Sequence, residues 1–267
     1  MPELPELEVV REVVGPRILG RPLTEVTVSA RLGFLLRTPA GDLAAALRGR
    51  AVQGMKRRGK FMLFELGDLV LADNPMLGGR FQWAEPGEKV AAATVVRLQF
   101  GDGGELRLTD SARMGRIYLV AAGRLEADVP GFGEQGPEAL GVGLEEWSRR
   151  IRRHPGELKN LLRNQAFVAG IGNAYSDEIL WEAQMLPLRR RSSLDAAGVE
   201  RLWASTQRVL AGAIESIRAQ PDYQPHKQDR SFMRVHMKSG ACPRCGHRIS
   251  ELTARGEVTN FCRGCQA

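Results

Sequence analysis

The first residues of the chain place an amine beside a carboxylate. Proline is small enough for the initiator methionine that precedes it to be cleaved off. This cleavage would leave Pro2 with a free secondary amine. An α-amino group titrates near pH ~8, well below the ~10.4 of a lysine, so more of it is neutral and able to form a Schiff base. Glu3 is positioned to act as an acid or base. Proline and an acidic residue also suit the first turn of a helix, so a purely structural role fits the same residues.

All four cysteines lie at the end of the chain, in two Cys-x-x-Cys pairs. Cys242 and Cys245 form the first pair, and Cys262 and Cys265 form the second, with 16 residues between the pairs. This spacing predicts a tetrahedral zinc site on a β-hairpin ribbon, and four thiolates leave no position for water, so the ion is structural. His247 is a competing ligand, but four sulfurs suffice. Two disulfides are the alternative, which a cytosolic location disfavours.

Two further segments have residue types suited to binding phosphate. The glycine-rich turn 170–173 joins two helical segments, and its backbone N–H groups, with Asn173 as the cap of the next helix, can bind a DNA phosphate. Lys159 and Arg163 would add positive charge. Lys60 ends a basic run and could face the substrate of the N-terminal amine. Glycine turns and solvated basic turns are common without a ligand, so each signal alone is weak.

The elements that must position these residues differ between the two halves of the chain. Apolar residues at helical spacing predict a helix over 6–18. Short β-rich runs between glycine-rich turns then predict an antiparallel sandwich or barrel. The runs are 24–28, 51–55, 61–65, 69–72, 93–100 and 105–108.

A glycine- and proline-rich linker over 123–143 separates this region from a helical one. Helices are predicted over 144–153, 155–164, 173–184 and 193–219. Ser193 is the predicted N-cap of the last helix. The polar stretch 220–239 leads as a loop into the cysteine pairs.

The distribution of charge favours a polyanionic partner. The formal net charge is +7, and residues 1–144 hold 18 basic and 18 acidic side chains, whereas residues 145–267 hold 20 and 13. A domain-wide basic excess is typical of nucleic-acid binding. The aromatic content of 6% disfavours base stacking as the main binding mode. The sequence has neither a membrane-spanning apolar stretch nor a signal pattern, so we expect a cytosolic protein, in the bacterial cytosol or nucleoid.

Five motifs occur in a fixed order, at 1–8, 57–60, 135–140, 168–178 and in the four-cysteine ribbon. Together they resemble the formamidopyrimidine-DNA glycosylase / endonuclease VIII family of base-excision repair enzymes. The resemblance implies an α+β multidomain fold that binds damaged double-stranded DNA in a cleft. We expect a monomer with one structural Zn²⁺, and no organic cofactor site is evident in the sequence. The implied domains are an N-terminal β-sandwich with flanking helices over 1–128, a helix–two-turns–helix domain over 129–235 and a zinc finger over 236–267.

The resemblance also implies roles for individual residues. Pro2 corresponds to the nucleophile that attacks C1′ of the damaged nucleotide, Glu3 to the acid/base that assists ring opening, and Lys60 to a lysine contacting phosphate and the lesion nucleotide. The imine acidifies the adjacent sugar C–H, so the 3′ and then the 5′ phosphate can be eliminated. The implied activity is a bifunctional DNA glycosylase/AP lyase for oxidised purines such as formamidopyrimidine and 8-oxoguanine. Oxidised pyrimidines are the alternative.

The sequence departs from the family at the residues that would fill the gap left by a flipped base. The family's His-Leu-Gly-Met stretch is Asn-Pro-Met-Leu at 74–77, so Leu77 would be the wedge and Met76 the alternative. Both are apolar types that intercalate between bases. Met114 replaces the family's stacking phenylalanine.

Other departures alter the positive charge available to DNA. Arg113 keeps the arginine that reaches the opposite base, but the preceding family arginine is Ala112 here. The finger arginine, five residues before the third cysteine, falls on Glu257, where a carboxylate would repel phosphate. Arg255 could replace it only in a different hairpin register. We therefore predict weak strand cleavage, or a cut that stops after the first elimination.

Two hypotheses of different class follow. One is an active bifunctional glycosylase/lyase, supported by the N-terminal pair and Lys60. The other is a lesion- or abasic-site-binding paralogue with weak or no catalysis, motivated by Glu257, Asn74 and Ala112. A generic zinc-ribbon DNA-binding module is a third, against which the ordered N-terminal motifs argue. The damaged base would be held by the loop 220–239.

Overall fold

Two units make up the part of the chain that the computed structural model describes, residues 1–254 and 256–267. Unit 1 comprises Met1–Glu134 and Ile217–Gln228. Unit 2 comprises Gln135–Ser216 and Asp229–Ala267. The N-terminal amine therefore belongs to unit 1, together with a short segment from late in the sequence, and the four cysteines belong to unit 2.

Two antiparallel sheets of four strands form most of unit 1. The strand orders are β1-β6-β7-β5 and β2-β3-β4-β8. The elements are α1 (Leu4–Ile18), β1 (Leu23–Val28), α2 (Ala40–Leu47), β2 (Gly54–Arg58), β3 (Phe61–Leu66), β4 (Leu69–Asn74), β5 (Gly79–Ala84), β6 (Thr94–Phe100), β7 (Glu105–Asp110), β8 (Arg116–Ala121) and α3 (Leu125–Asp128).

One hydrophobic core joins the inner faces of both sheets and one side of α1. Phe81 pairs with Leu108 in the first sheet, and Phe64 pairs with Leu71 in the second. The rings of Phe64 and Phe81 meet between the sheets with centroids 6.3 Å apart. Burying each such side chain stabilises the fold by about 1.5–3 kcal/mol. The predicted β-sandwich with flanking helices is confirmed, and the barrel alternative is wrong.

Several elements of unit 1 differ from the sequence-based prediction. The run predicted at 51–55 is shifted, because β2 spans Gly54–Arg58. Strands β5 and β8 and helix α2 were not predicted. A pair of glycines precedes the apolar alternation of β5, and such a pair indicates a turn rather than a strand. The predicted linker also contains structure, since Phe132 packs edge-on against Phe61 with centroids 5.4 Å apart.

Unit 2 consists of helices followed by one antiparallel hairpin. Its elements are α4 (Leu144–Ile151), α5 (Leu158–Arg163), α6 (Asn173–Glu182), α7 (Ala196–Arg218, whose last residues belong to unit 1), β9 (Ile249–Ala254) and β10 (Glu257–Cys262). The prediction that Ser193 caps α7 is wrong. The Asp195 carboxylate instead accepts the backbone N–H of Gly198 at 2.8 Å, which is the usual N-cap interaction.

Within the described ranges, no helix combines the length and the apolar character that crossing a bilayer requires.

Candidate active site and nucleic-acid interface

Pro2 and Glu3 directly precede helix α1, and both are buried. The backbone N–H of Glu3 donates to Glu6 Oε2 at 2.9 Å, and the backbone N–H of Leu7 donates to the Glu3 carbonyl at 3.1 Å. This capping box holds the start of the helix in one geometry. Pro2 and Glu3 are thus held next to each other at the start of α1.

Lys60 lies in the tight turn between β2 and β3, which an ion pair attaches to α1. Gly59 has φ +56°, a left-handed conformation that glycine adopts without strain. Arg57 donates through Nε to Glu8 Oε2 at 2.8 Å and through Nη1 to the Gly59 carbonyl at 3.0 Å. Burial opposes ionisation of Glu8, but hydrogen bonds from Arg11 and Arg57 outweigh it and keep its pKa below the usual value. The helix that follows the amine and the turn that carries Lys60 are thus joined within unit 1.

The segment Ile217–Gln228 lies against the same part of unit 1. Arg80 at the start of β5 donates to Gln228 Oε1 at 2.7 Å. Burial and the nearby Glu6 carboxylate raise the pKa of Tyr223, so its phenol is neutral. Sequence reasoning singled out none of Glu6, Tyr223 and Gln228. No sequence signal could have found the Arg80 contact, because its partners are 148 positions apart.

Two loops of unit 1 expose the predicted wedge, Leu77, and Met114, which stands in place of the family's stacking phenylalanine. Leu77 follows β4 and is 54% exposed, and Met114 follows β7 and is 47% exposed. Met76 is partly buried and has φ +45°. The loops pack together closely at Gly78, where an added Cβ would lie 2.3 Å from the backbone nitrogen of Ala112. Two exposed apolar side chains are therefore held on a pair of mutually packed loops.

The carboxylate of Asp110 organises the second of these loops. It accepts the backbone N–H groups of residues 112–115 at 2.9, 3.0, 2.8 and 2.6 Å. Arg113 is exposed and has φ +56°. A left-handed conformation is uncommon for arginine, and these hydrogen bonds impose it. The chain direction at Arg113 is thus set by Asp110.

A second carboxyl group, Asp73 on β4, lies near Asp110 and is 4% exposed. Burial, with the negative charge of Asp110, raises the pKa of Asp73 to about 8. In the unfolded chain the same proton dissociates near pH ~3.9. The stability contributed by neutral Asp73 is therefore fully present below about pH 4 and is lost as the pH rises through about 8.

We expect Asp73→Asn, which cannot ionise, to lose less stability than the wild type as the pH rises. The difference should reach on the order of a few kcal/mol by about pH 9. Thermal unfolding from about pH 5 to about pH 9 measures it. Asp68→Asn is the control, because the pKa of exposed Asp68 is lowered by the hydrogen bond from Arg50. Equal alkaline losses in Asp73→Asn and the wild type would contradict the prediction.

In unit 2, the buried carboxylate of Asp177 on α6 gathers groups from several elements. Lys159 Nζ donates to it at 2.5 Å, the backbone N–H of Asn260 donates at 3.2 Å, and His236 Nδ1 lies 2.8 Å away. Lys159 is 4% exposed, and its pKa is lowered by burial, which the charge of Asp177 opposes. A DNA contact by Lys159 stays a prediction, and the burial of its ammonium argues against it.

The turn before α6 positions Asn173. Gly170 has φ +104°, and Gly172 occupies the N-cap. The prediction that Asn173 caps the helix is therefore wrong, because it is the first helical residue. Its Nδ2 donates to the Val258 carbonyl at 2.9 Å, and its Oδ1 is buried without a hydrogen-bond partner in the described part of the chain. Asn173 thus attaches α6 to strand β10 of the finger.

Arg163 at the end of α5 forms an ion pair with Glu257 at the start of β10. Both guanidinium Nη atoms contact the two carboxylate oxygens. The side chain of Arg163 is 27% exposed and that of Glu257 is 45% exposed. Arg255, the alternative source of positive charge in the hairpin, lies outside the described residues. The acidic residue at the finger tip is therefore neutralised by a basic residue that the helix supplies.

The four cysteine sulfurs form one cluster, all within 4.8 Å of one another. All four are free thiols, so the disulfide alternative is wrong. The Sγ atoms of Cys242 and Cys265 are 3.8 Å apart, and those of Cys245 and Cys262 are 3.4 Å apart. A tetrahedral zinc ion with Zn–S bonds of ~2.3 Å places its sulfurs ~3.8 Å apart, so the cluster fits zinc. Trp181 Nε1 donates to Cys242 Sγ at 3.3 Å, which fixes one ligand against α6.

Three family models match successive parts of the chain. They are the formamidopyrimidine-DNA glycosylase N-terminal domain at residues 1–117, the formamidopyrimidine-DNA glycosylase H2TH domain at 136–221, and the zinc finger found in FPG and IleRS at 241–267. The finger match and the cysteine cluster agree on one structural zinc ion.

The chain is also similar to named relatives and solved structures over its whole length. A formamidopyrimidine-DNA glycosylase of Symbiobacterium thermophilum is 34% identical, covering 100% of this chain and 89% of the relative. The Lactococcus lactis Fpg in complex with abasic-site DNA has a TM-score of 0.88 at 27% identity, covering 99% of both chains. A Lactococcus lactis FPG mutant in complex with Fapy-dG containing DNA has a TM-score of 0.88 at 28% identity, covering 99% of both chains.

Proposed function

This chain belongs to the formamidopyrimidine-DNA glycosylase family of base-excision repair enzymes, and we propose that it excises oxidised bases through a Schiff base on Pro2. One observation carries the proposal: Pro2 and Glu3 lie at the buried, capped start of α1, and the turn carrying Lys60 is tied to that helix. The proposed substrate is damaged double-stranded DNA, bound by a monomer in the bacterial cytosol or nucleoid. Removal of Met1 is a requirement, because it converts an amide nitrogen into an amine.

The first chemical stage replaces the base by the protein. The neutral Pro2 nitrogen attacks C1′, and the glycosidic C–N bond breaks with its electron pair leaving on the base, which takes up a proton from solvent. Glu3 accepts the proton that the attacking nitrogen loses and donates it to O4′ as the sugar ring opens, so a cationic iminium joins Pro2 to C1′. Lys60 would hold the phosphate beside the reacting sugar.

The second stage cuts the strand by elimination. The iminium withdraws electrons, so a proton leaves C2′ and the C3′–O bond breaks, with its electron pair leaving on the 3′ phosphate. A further proton loss from C4′ allows the C5′–O bond to break and expels the 5′ phosphate. Water then hydrolyses the iminium and restores the Pro2 amine. The electron pair of each broken C–O bond leaves with a phosphate, and the electron pair of each broken C–H bond moves towards the iminium. No oxidant or organic cofactor is therefore needed.

The target base must leave the stack before this chemistry can occur. The exposure of Leu77 supports its role as the wedge in the vacated space, and the exposure of Met114 supports a stacking role. Arg113, on the loop fixed by Asp110, is the proposed contact to the opposite base. Asn173 is the proposed phosphate contact of unit 2. Apolar wedges cost unstacking energy but allow a bent duplex to contact more protein surface.

The segment Ile217–Gln228 of unit 1 contains groups suited to recognising the extruded base. Tyr223 offers a neutral ring, and two buried polar atoms, His226 Nδ1 and Gln228 Nε2, have no hydrogen-bond partner among the described residues. Burial and the charge of Lys227 lower the pKa of His226, so its imidazole is neutral at pH 7. Neutral donors and acceptors suit the edge of a base.

The experiment that tests the substrate class is excision from duplexes with one defined lesion opposite each normal base. Formamidopyrimidine and 8-oxoguanine should be released fastest. Faster release of an oxidised pyrimidine would replace the purine proposal and leave the Pro2 chemistry intact.

We predict that strand cleavage by the wild type stops mainly after the first elimination. Glu257 stands where the resemblance implies a phosphate-binding arginine, so the 5′ phosphate leaves with less assistance. Glu257→Arg should increase the fraction of 3′ ends that have undergone the second elimination, read on a gel after incubation with an abasic duplex. Efficient second elimination by the wild type, with no effect of Glu257→Arg, would defeat the prediction.

A second candidate function is binding of lesions or abasic sites without efficient catalysis. The internal neutralisation of Glu257 by Arg163 supports it, as do the substitutions at Asn74 and Ala112. Borohydride trapping on abasic DNA separates the two functions. Tight lesion binding without a covalent adduct would favour the binding protein.

A further inference from the structure

We propose that Arg163 is a phosphate-binding residue that Glu257 holds in the free protein and releases to a DNA phosphate when the duplex binds. The proposal rests on the proposed DNA-binding function. It assigns to the Arg163–Glu257 ion pair the role of a latch, which opens when a phosphate takes the place of the carboxylate. The chemistry of the exchange is simple, because a phosphate offers arginine the same pair of oxygen acceptors as a carboxylate.

The two basic residues of α5 differ in the access that a ligand would have to them. Lys159 and Arg163 lie one turn apart on the helix, and each pairs with an acidic side chain of unit 2. The Lys159–Asp177 pair is closed, with side chains 6% and 0% exposed. The Arg163–Glu257 pair is open, with side chains 27% and 45% exposed. Only the second pair can exchange its acidic partner for a ligand without unfolding.

The finger does not depend on the latch for its attachment to the helices. The carbonyl of Val258, the residue after Glu257, accepts Asn173 Nδ2 at 2.9 Å and Lys159 Nζ at 3.4 Å. The backbone N–H of Asn260 on the same strand donates to Asp177 at 3.2 Å. These contacts remain when Arg163 turns away from Glu257. The ion pair is therefore not needed to position β10. The guanidinium of Arg163 is thus available for another partner.

The cost of opening the Arg163–Glu257 ion pair lowers the affinity for DNA by a modest but measurable amount. Partly exposed ion pairs contribute little, so opening this one should weaken DNA binding by no more than about fivefold. Each phosphate that a cation neutralises contributes about 0.9 to the slope of log K against log salt. A true phosphate contact by Arg163 must therefore appear in the salt dependence, which a purely structural ion pair would leave unchanged.

A double-mutant cycle tests the proposal. Fluorescence anisotropy with an undamaged duplex at several salt concentrations compares the wild type, Glu257→Gln, Arg163→Met and the double variant. We expect Glu257→Gln to tighten binding about threefold to fivefold, but only when Arg163 is present. Arg163→Met should lower the salt slope by about 0.9. Glu146→Gln and Arg149→Met are the matched controls, because they remove the same charges from another partly exposed ion pair of unit 2.

Three results would overturn the latch. The first is equal tightening by Glu257→Gln with and without Arg163, which would mean only a general charge effect. The second is an unchanged salt slope in Arg163→Met. The third is a loss of zinc or of thermal stability in Arg163→Met that is large enough to account for its weaker DNA binding. If Arg163→Met folds poorly, Arg163→Gln replaces it and should show the same lower salt slope and the same loss of the dependence on Glu257. A wild type that binds no DNA would instead refute the proposed function.

Discussion

Replacing Pro2 with glycine is expected to lower the covalent adduct trapped by borohydride on an abasic duplex by on the order of 1000-fold. The nucleophile forms the bond that borohydride reduces, and glycine lacks the ring that fixes the nitrogen against the helix start. Glu3 is buried beside that nitrogen, so a displaced amine also loses its acid/base partner. The measurement is the rate of appearance of a protein–DNA band that resists denaturation.

Pro5→Gly is the matched control for this experiment. Pro5 is a buried proline in the first turn of the same helix, so both substitutions weaken the helix start and only Pro2→Gly alters the nucleophilic amine. If the two variants trapped DNA equally, Pro2 would be a helix-starting residue and nothing more. Mass spectrometry of the wild type adds a second check, since a retained Met1 would leave no amine on Pro2.

Cys262→Ser is expected to release the zinc ion and to weaken binding of an abasic duplex by on the order of 100-fold. A structural zinc site contributes about 10–16 kcal/mol to the folding of isolated finger peptides, so three remaining thiolates do not maintain the hairpin. Cys262 ends β10, the strand whose Val258 carbonyl joins the finger to the helices. Zinc content and anisotropy measure the two effects.

Thr259→Ser serves as the control for the zinc experiment, because it alters the same strand without removing a sulfur ligand. It should keep one zinc ion and bind DNA as the wild type does. A Cys262→Ser protein that bound abasic DNA with unchanged affinity would show that the finger is dispensable for binding.

Local sequence patterns accounted for the zinc site and for most helices. The spacing of Cys242, Cys245, Cys262 and Cys265 is itself the geometric requirement of a hairpin zinc site, so no distant contact was needed to predict it. Helical periodicity located α1 for a similar reason, since its buried residues recur along one short stretch. The adjacency of the amine and the acid at the N-terminus is likewise present in the primary structure.

The contacts that define the rest of the site join residues far apart in the chain. The Arg163–Glu257 pair spans 94 positions, and the Lys159–Asp177 pair places an expected DNA contact in the interior. Neither pairing has a periodic or compositional signature. Similarly, the glycine pair at the start of β5 indicates a turn in the sequence, although the close approach of a second loop is what requires Gly78.

The sequence by itself determined which residues are capable of chemistry, namely a removable methionine before proline, a neighbouring acid and four metal-binding thiols. Tertiary structure alone decided which cations remain available to DNA, because that depends on which carboxylates the fold brings against them. Local sequence spacing constrains the positions of residues that are close in the chain, within one turn or one hairpin. The pairing of charges depends on packing between elements, which the burial of apolar side chains across the whole chain determines.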